Sequence, residues 1–143
     1  MQTDGAKYIG DWINDKRHGQ GICRQEDASD YNGQWRNDKK HGYGREIWPD
    51  GASYEGEYVE GRKHGQGTFE WLDGSKYQGS YIHGEITGQG VYTWPDERSY
   101  SGQFLNKQMH GKGIFTWKDG RTYEGDYKFD KKCGIGKFTW PNG

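Results

Sequence analysis

Long apolar stretches are missing from this sequence. Hydrophobic residues make up only 29% of its 143 residues, and the mean hydropathy is −1.30. No run is long enough to span a bilayer, and no signal-peptide pattern is present. The net charge of −1 creates no overall field that would attract nucleic acid or a membrane. We therefore expect a soluble chain that does not bind nucleic acid, and any electrostatic attraction must be local.

Segments that could form a helix are missing as well, because the 25 glycines are spread over the whole sequence and interrupt every such segment. The low hydropathy by itself would suggest disorder. However, aromatic residues reach 16%, with seven Trp and eleven Tyr. Disordered chains are poor in such residues, and each ring can bury on the order of 150–250 Å². The composition therefore favours a thin, one-layer structure that is held together by aromatic rings.

The sequence repeats itself every 23 residues. The leading tyrosines of the six copies are Tyr8, Tyr31, Tyr54, Tyr77, Tyr100 and Tyr123. A fixed period of this length is typical of a stacked repeat array. We number the copies repeat 1 to repeat 6 and count positions within each repeat from the leading tyrosine, which is position 0.

Each repeat contains two runs with the pattern of a strand. Positions 0, 2 and 4 hold a ring, a glycine and a ring. Positions 13, 15 and 17 hold a glycine and two rings, as in Gly67, Phe69 and Trp71. This period of two indicates half-buried strands. A glycine-bounded loop separates the two runs, and an Asp-Gly joint turns the chain into the next repeat. The sequence therefore predicts an all-β fold of six successive β-hairpins, a sheet of about twelve strands.

Glycine occupies positions 2, 11 and 13 in every repeat. Glycine normally weakens a strand, so its recurrence needs a cause. Positions 2 and 13 share a strand face with the rings, and we expect the rings to lie flat on the backbone there. The glycine at position 11 is expected to supply a positive φ in the loop.

This pattern resembles the MORN (membrane occupation and recognition nexus) repeat. The resemblance rests on Tyr-x-Gly-x-aromatic, His-Gly-x-Gly and Trp-Pro-Asp-Gly, and it covers all six copies. It implies an elongated, twisted, single-layer antiparallel sheet with a shallow groove lined by aromatics. MORN arrays occur in axonemal proteins, junctional membrane proteins, lipid kinases, a lysine methyltransferase and cytoskeletal scaffolds. The resemblance thus favours a cytoskeletal or ciliary location.

Two interpretations of the ring face are open. The rings are the only available core, so most of them could be purely structural. A single sheet cannot hide a whole face, however, and an exposed aromatic groove would bind a protein segment, either extended or helical. The groove candidates are Trp48, Tyr54, Tyr58, Phe69, Trp71, Tyr77, Tyr81, Tyr92, Trp94, Tyr100, Phe104, Phe115 and Trp117. Repeat 1 carries Cys23 and Gln25 instead of two rings, so we expect the groove to be best formed in repeats 2 to 6.

Charged residues are expected to form rows along the two long edges. Positions 8 and 9 carry a basic row, Lys16, Arg17, Lys39, Lys40, Arg62, Lys63, Lys131 and Lys132, which is interrupted in repeats 4 and 5. The joints carry an acidic row, Asp27, Asp50, Asp73, Asp96 and Asp119. These rows are either solvated edges or, for the basic row, a surface for anionic lipid, worth about 1 kcal/mol per basic residue.

Metal and cofactor chemistry find no support in the sequence. Position 10 holds His18, His41, His64 and His110, with Thr87 and Cys133 in two other repeats. Neighbouring copies should lie about 9–10 Å apart, too far to share one metal ion. We expect a loop-organising hydrogen bond that Thr and Cys tolerate. No nucleophile–base grouping or phosphate-binding loop is present, so we expect no enzyme activity and no cofactor.

Three functions remain as hypotheses. The first is a non-catalytic scaffold that binds a protein segment, with dimers or end-to-end assembly through open sheet edges. The second is a peripheral module for anionic phospholipid, and the third is an accessory array of a larger enzyme. Cys23 and Cys133 lie nearly five repeats apart, too far for a disulfide, which favours an intracellular location. Both ends fall within joints, so the simplest interpretation of residues 1–143 is one segment of a longer array, with a natural six-repeat protein as the alternative.

Overall fold

The computed structural model describes residues 7–141, and all regular elements in that range are strands. They are β1 (Lys7–Ile13), β2 (Lys16–Arg24), β3 (Asp30–Arg36), β4 (Lys39–Ile47), β5 (Ser53–Val59), β6 (Arg62–Glu70), β7 (Lys76–Ile82), β8 (Glu85–Thr93), β9 (Ser99–Leu105), β10 (Gln108–Thr116), β11 (Thr122–Lys128) and β12 (Lys131–Thr139). The strands form one open antiparallel sheet in chain order. The predicted sheet of six hairpins is confirmed. The joints predicted at the two ends of the chain extend into residues 1–6 and 142–143, which lie outside the described residues.

The loop within each hairpin is shorter than predicted. Only two residues connect β1 to β2, and both have positive φ, 52° at Asn14 and 66° at Asp15. Positive φ at both central residues defines a type I′ turn, whose twist matches that of paired strands. The second strand therefore begins at position 8. The glycine at position 11 lies inside this strand and not in a loop, which corrects the sequence-based interpretation.

That glycine occupies a β-bulge. Gly56 pairs with Gly67, but the next pair is Tyr58 with Lys63, so β6 carries two extra residues at this point. Within the bulge Gly65 has a φ of +83°, as predicted. The Glu57 carboxylate accepts a hydrogen bond at 2.6 Å from the backbone N–H of Gln66, which would otherwise lack a partner on this side.

The other two glycines lie beneath a tyrosine ring. Tyr54 is fully buried, and a Cβ atom added to Gly56 or Gly67 would collide with the Tyr54 side chain. The Tyr54 hydroxyl donates a hydrogen bond at 2.9 Å to the backbone carbonyl of Glu57. A ring can therefore lie flat on the strands, and its hydroxyl is satisfied by the backbone carbonyl opposite the bulge. The predicted packing of rings on backbone is confirmed.

These tyrosines belong to a zigzag of edge-to-face rings, here called the tyrosine row, which is buried from repeat 2 onwards. Each leading tyrosine contacts the position-4 ring of its own repeat and, in repeats 1 to 5, that of the next repeat as well. Tyr54, for example, lies 5.2 Å from Tyr58 and 5.4 Å from Tyr81 between ring centroids. The row consists of Tyr8, Trp12, Tyr31, Trp35, Tyr54, Tyr58, Tyr77, Tyr81, Tyr100, Phe104, Tyr123 and Tyr127. It is the core that couples one hairpin to the next.

Backbone hydrogen bonds join neighbouring repeats along the turn edge. The N–H of Gly61 donates at 2.8 Å to the carbonyl of Lys40 in the preceding repeat. Beside it, the N–H of Glu60 donates at 3.2 Å to Nδ1 of His41. In repeat 4 the acceptor at position 10 is Thr87 Oγ1, at 3.1 Å from the N–H of Asn106. The predicted loop-organising bond is confirmed, together with its tolerance of threonine.

The remaining sequence expectations concern cysteines, metals and membranes. Cys23 is buried in β2 and Cys133 is exposed in β12, at opposite ends of the sheet and without a disulfide. Within residues 7–141, no three His, Cys, Asp or Glu side chains converge as metal ligands would. The described residues include no helix that is long and apolar enough to cross a bilayer.

Candidate functional site

A second series of rings lies beside the tyrosine row, on the same face of the sheet. It alternates between positions 15 and 17 of successive repeats, and it is here called the ring ladder. Neighbouring centroids are 4.6–5.9 Å apart in the order Trp48, Phe69, Trp71, Tyr92, Trp94, Phe115, Trp117, Phe138 and Trp140. The contacts form an unbroken path along five repeats.

The tyrosine row and the ring ladder differ in exposure, and this difference divides the predicted groove residues into two sets. Tyr54, Tyr58, Tyr77, Tyr81, Tyr100 and Phe104 belong to the tyrosine row and are at most 6% exposed. They support the groove and offer no surface to a partner. The predicted residues of the ring ladder, Trp48, Phe69, Trp71, Tyr92, Trp94, Phe115 and Trp117, pack against this core and, apart from Phe115, are only half-buried. Sequence alternation placed both sets on one face but did not separate them.

The basic row is also divided. The cations at position 8, Lys16, Lys39, Arg62 and Lys131, are exposed. At position 9, Arg17, Lys40, Lys63 and Lys132 fold over the aromatic rings, and of these four Lys132 is also exposed. Ile86 and Met109 take the same position in repeats 4 and 5 and join the core. Half of the predicted row is therefore part of the ring face and not of the edge.

Lys63 is the most enclosed of the position-9 cations that lack an ion pair. Its ammonium lies 5.3–5.6 Å from the ring centroids of Trp48, Tyr54 and Phe69. Burial lowers the pKa of this lysine, because the charged form is poorly solvated there. Among residues 7–141, no carboxylate forms an ion pair with it. Cation–π attraction compensates part of the lost hydration.

Glu46 interrupts the pattern of rings and was missed by the sequence analysis. It holds position 15 of repeat 2, where repeats 3 to 6 have a ring, and it is only 6% exposed. Its carboxylate accepts hydrogen bonds from the Tyr58 hydroxyl at 2.6 Å, Gln25 Nε2 at 2.9 Å and Lys40 Nζ at 3.0 Å. Burial, and then the Glu46 charge, raise the pKa of Tyr58.

This cluster lies at the start of the groove, and our prediction that the groove is best formed in repeats 2 to 6 stays a prediction. Repeat 2 contributes Trp48 but no ring at position 15, so the ring ladder begins at Trp48 beside a satisfied polar cluster. An alignment of the six repeats could have drawn attention to this polar cluster, because Glu46 is the one charged residue at position 15. A buried charge is stable only with such partners.

The acidic row has a local role in the joints. The Asp50 carboxylate accepts a hydrogen bond at 2.9 Å from the N–H of Ala52, and the same bond recurs at Asp27, Asp73, Asp96 and Asp119. This is an Asx turn, which Asp favours. Two joints also place arginines above the ring ladder, with Arg98 at 5.4 Å from Trp94 and Arg121 at 5.2 Å from Trp117. Each arginine is paired with the aspartate of its own joint.

The fold and this face define a class of protein, the tandem β-hairpin repeat arrays built as a single open sheet. A family model described as the MORN repeat matches residues 8–27, 31–53, 54–76, 77–97, 100–120 and 123–143. The chain therefore belongs to the MORN repeat family, whose repeats are generally non-catalytic. A comparison with curated proteins gave no match.

Solved structures with a similar fold include the TCP domain of SAS-4 (dCPAP) from Drosophila melanogaster, in complex with a proline-rich motif of Ana2 (dSTIL). The TM-score is 0.55 at 11% sequence identity, and the match covers 87% of this chain and 68% of that chain. At this identity the likeness concerns the fold alone.

Proposed function

We propose that this chain is a non-catalytic scaffold that binds a segment of another protein along the ring ladder. The observation that carries the proposal is the unbroken path of rings from Trp48 to Trp140 on one face of a single-layer sheet. Within residues 7–141 no second layer covers these rings. Exposed aromatic surface of this kind commonly marks a partner site.

The geometry favours a long, narrow partner. Four repeat intervals of two strands each extend over about 38 Å, and the ladder is one file of rings wide. Tryptophan and tyrosine are frequent hot-spot residues because they bury a large area with little loss of conformational freedom. The similar SAS-4 domain was solved with a proline-rich motif, which supports a peptide-like partner for this fold. A cytoskeletal or ciliary assembly remains our proposed setting.

The test uses a displayed library of random 12-residue peptides. Selection on the native chain, with counter-selection on the Trp71→Ala, Trp94→Ala double variant, should enrich peptides that need the ladder. The matched control is Val91→Ala, Ile114→Ala, which removes two exposed apolar side chains from the opposite face. Enriched peptides should bind the native chain and this control equally, and bind the ladder variant at least about tenfold more weakly. Peptides that bind all three proteins equally would eliminate the scaffold proposal.

The lipid hypothesis is a second candidate, supported only by the exposed position-8 cations. Lys39 already pairs with Glu60 at 3.5 Å, whereas Lys16, Arg62 and Lys131 form no ion pair among the described residues. The hypothesis predicts binding to vesicles that contain acidic lipid, and this binding should weaken with salt and with Lys16→Glu, Arg62→Glu. Binding that ignores salt and these substitutions would rule it out. The role of accessory array in a larger enzyme would be decided by the full reading frame of the gene.

A further inference from the structure

We propose that the ring ladder binds a polyproline II segment with an apolar side chain at every third residue and a carboxylate that contacts Lys63. This inference deepens the proposed function and rests on it. It comes from two properties of the site, the spacing of the tryptophans and the uncompensated charge of Lys63.

The spacing of the tryptophans matches one backbone conformation. Trp48, Trp71, Trp94 and Trp117 recur once per repeat, which is two strand spacings or about 9.6 Å. A polyproline II helix advances about 9.3 Å in one turn of three residues. The same face of such a segment therefore returns to the ladder at each tryptophan.

Other conformations do not match this interval. In an extended strand, side chains on one face recur at about 6.8 Å and then at about 13.6 Å, because alternate residues point away. An α-helix returns to the same face at about 5.4 Å and at about 10.8 Å, so its mismatch with the ladder grows by more than 1 Å per repeat. Only the three-residue period stays in register over four tryptophans. Prolines suit these contacts, because their rings are flat, apolar and conformationally restricted.

The charge distribution defines one end of the segment. Lys63 lies against Trp48 without an ion pair among the described residues, whereas Lys40 is already neutralised by Glu46 at 3.0 Å. Repeats 4 and 5 place Ile86 and Met109 at the equivalent position, and the arginines over Trp94 and Trp117 are each paired with an aspartate. A partner should therefore place an acidic residue over Lys63 and apolar residues against Trp71, Trp94 and Trp117, beside the paired arginines.

The acidic group is best satisfied by a carboxylate. Lys63 forms no ion pair among the described residues. Besides burial, the charges that influence its pKa are mixed, with Glu46 and Glu85 opposed by Lys40 and Lys107. Glu46 and Glu85 would repel a dianionic phosphate more strongly than a singly charged carboxylate. A carboxylate carries the single charge that Lys63 lacks and can accept its N–H.

The experiment measures the affinity of fluorescein-labelled peptides by fluorescence anisotropy. The probe has glutamate at its first residue and proline at the fourth, seventh and tenth, separated by alanine and serine. A second peptide of the same composition spaces its prolines by four residues. We expect the three-residue spacing to bind about tenfold more tightly, because two or more prolines lose their tryptophan in the other peptide. Equal binding of the two peptides would overturn the inference.

The charge is tested with Lys63→Gln. This variant should weaken binding of the glutamate probe about fivefold and leave a glutamine version of the probe unchanged. Arg62→Gln is the matched control, since Arg62 precedes Lys63 on β6 but is exposed and has no cation–π contact with the ring ladder. Lys63→Glu should prefer a lysine probe. Equal losses for the glutamate and glutamine probes, or for the Lys63→Gln and Arg62→Gln variants, would refute the role of Lys63.

The two proposals fail differently. If peptides from the library depend on Trp71 and Trp94 but show no three-residue spacing, the scaffold stands and the polyproline II inference falls. If no peptide depends on these tryptophans, both fall.

Discussion

Repeat 2 and repeat 4 share one framework. In both, the leading tyrosine lies on two glycines and donates a hydrogen bond of 2.8 Å to a backbone carbonyl opposite the bulge, from Tyr31 to Gln34 and from Tyr77 to Ser80. The glycines at positions 2, 11 and 13 are the same in both repeats. These positions determine the hairpin, its bulge and its contact with the next repeat.

The surfaces above this framework differ. Repeat 2 presents the Lys40–Glu46 pair, whereas repeat 4 has Ile86 and Tyr92 at the same two positions. The strands beneath keep the same register in both repeats. The comparison teaches that positions 9 and 15 can change from an ion pair to apolar side chains without altering the fold, so these positions distinguish one part of the ring face from another.

Alkaline pH should affect the shared framework most. Burial raises the pKa of Tyr77 and Tyr100 to about 12, whereas an unfolded tyrosine titrates near 10. Unfolding therefore releases protons above pH 10, and stability that is complete below that pH is lost as the pH rises towards 12. Each such tyrosine contributes about 1.4 kcal/mol per pH unit. We expect a loss of several kcal/mol between about pH 10 and pH 11, measured by urea unfolding.

Tyr43 provides the control for this prediction. It is 55% exposed, and although burial raises its pKa, the shift is smaller than for the buried tyrosines, so Tyr43→Phe should reduce the alkaline loss only slightly. If tyrosinate absorbance develops fully near pH 10 while the protein stays folded, the tyrosine row is not the core described here.

Glycine substitutions test whether the framework is the same in both repeats. A Cβ added at Gly44 or Gly90 would collide with the tyrosine ring of its own repeat. Gly44→Ala and Gly90→Ala should each lower the free energy of unfolding by about 3 kcal/mol, because neither the ring nor the strand can move. Gly61→Ala, in a turn with open space around it and a φ of +86°, should cost about 1 kcal/mol. Unequal losses at Gly44 and Gly90 would show that the repeats are not equivalent.

The difference between the two surfaces can be tested by exchange. Glu46→Ala removes the acceptor of Tyr58 and Lys40 and leaves a half-buried cation unpaired, so we expect a loss of about 2 kcal/mol. Lys40→Ile, Glu46→Tyr installs the residues of repeat 4 and should recover most of that stability, because both charges are removed together. Urea unfolding measures both variants. If the double variant is no more stable than Glu46→Ala, the two positions are not interchangeable.

The framework could be predicted from the sequence because it is repeated six times. The 23-residue period, the positions of the glycines and the alternation of rings predicted the strands and the face of the sheet that carries the rings. They also predicted the packing of Tyr54 on Gly56 and Gly67. The turn was predicted too long, because type I′ turns here use residues such as Asn14 and Asp15 and not only glycine. The placement of Lys63 over the rings was not predicted, because the sequence analysis assigned this position to the loop, whereas Lys63 lies in β6 and pairs with Tyr58. The site depends on such exceptions, and a periodic pattern does not describe them.

The smallest expected effect concerns the bond between repeats 3 and 4. Nδ1 of His64 accepts a hydrogen bond at 3.3 Å from the N–H of His83, and Thr87 has the same role between repeats 4 and 5 at 3.1 Å. His64→Ala should cost about 1 kcal/mol and increase amide exchange at His83, because one exposed hydrogen bond is lost. His64→Thr should restore much of the protection, since a threonine hydroxyl already satisfies this position one repeat later. Equal exchange in the two variants would mean that the imidazole acts through packing rather than as an acceptor.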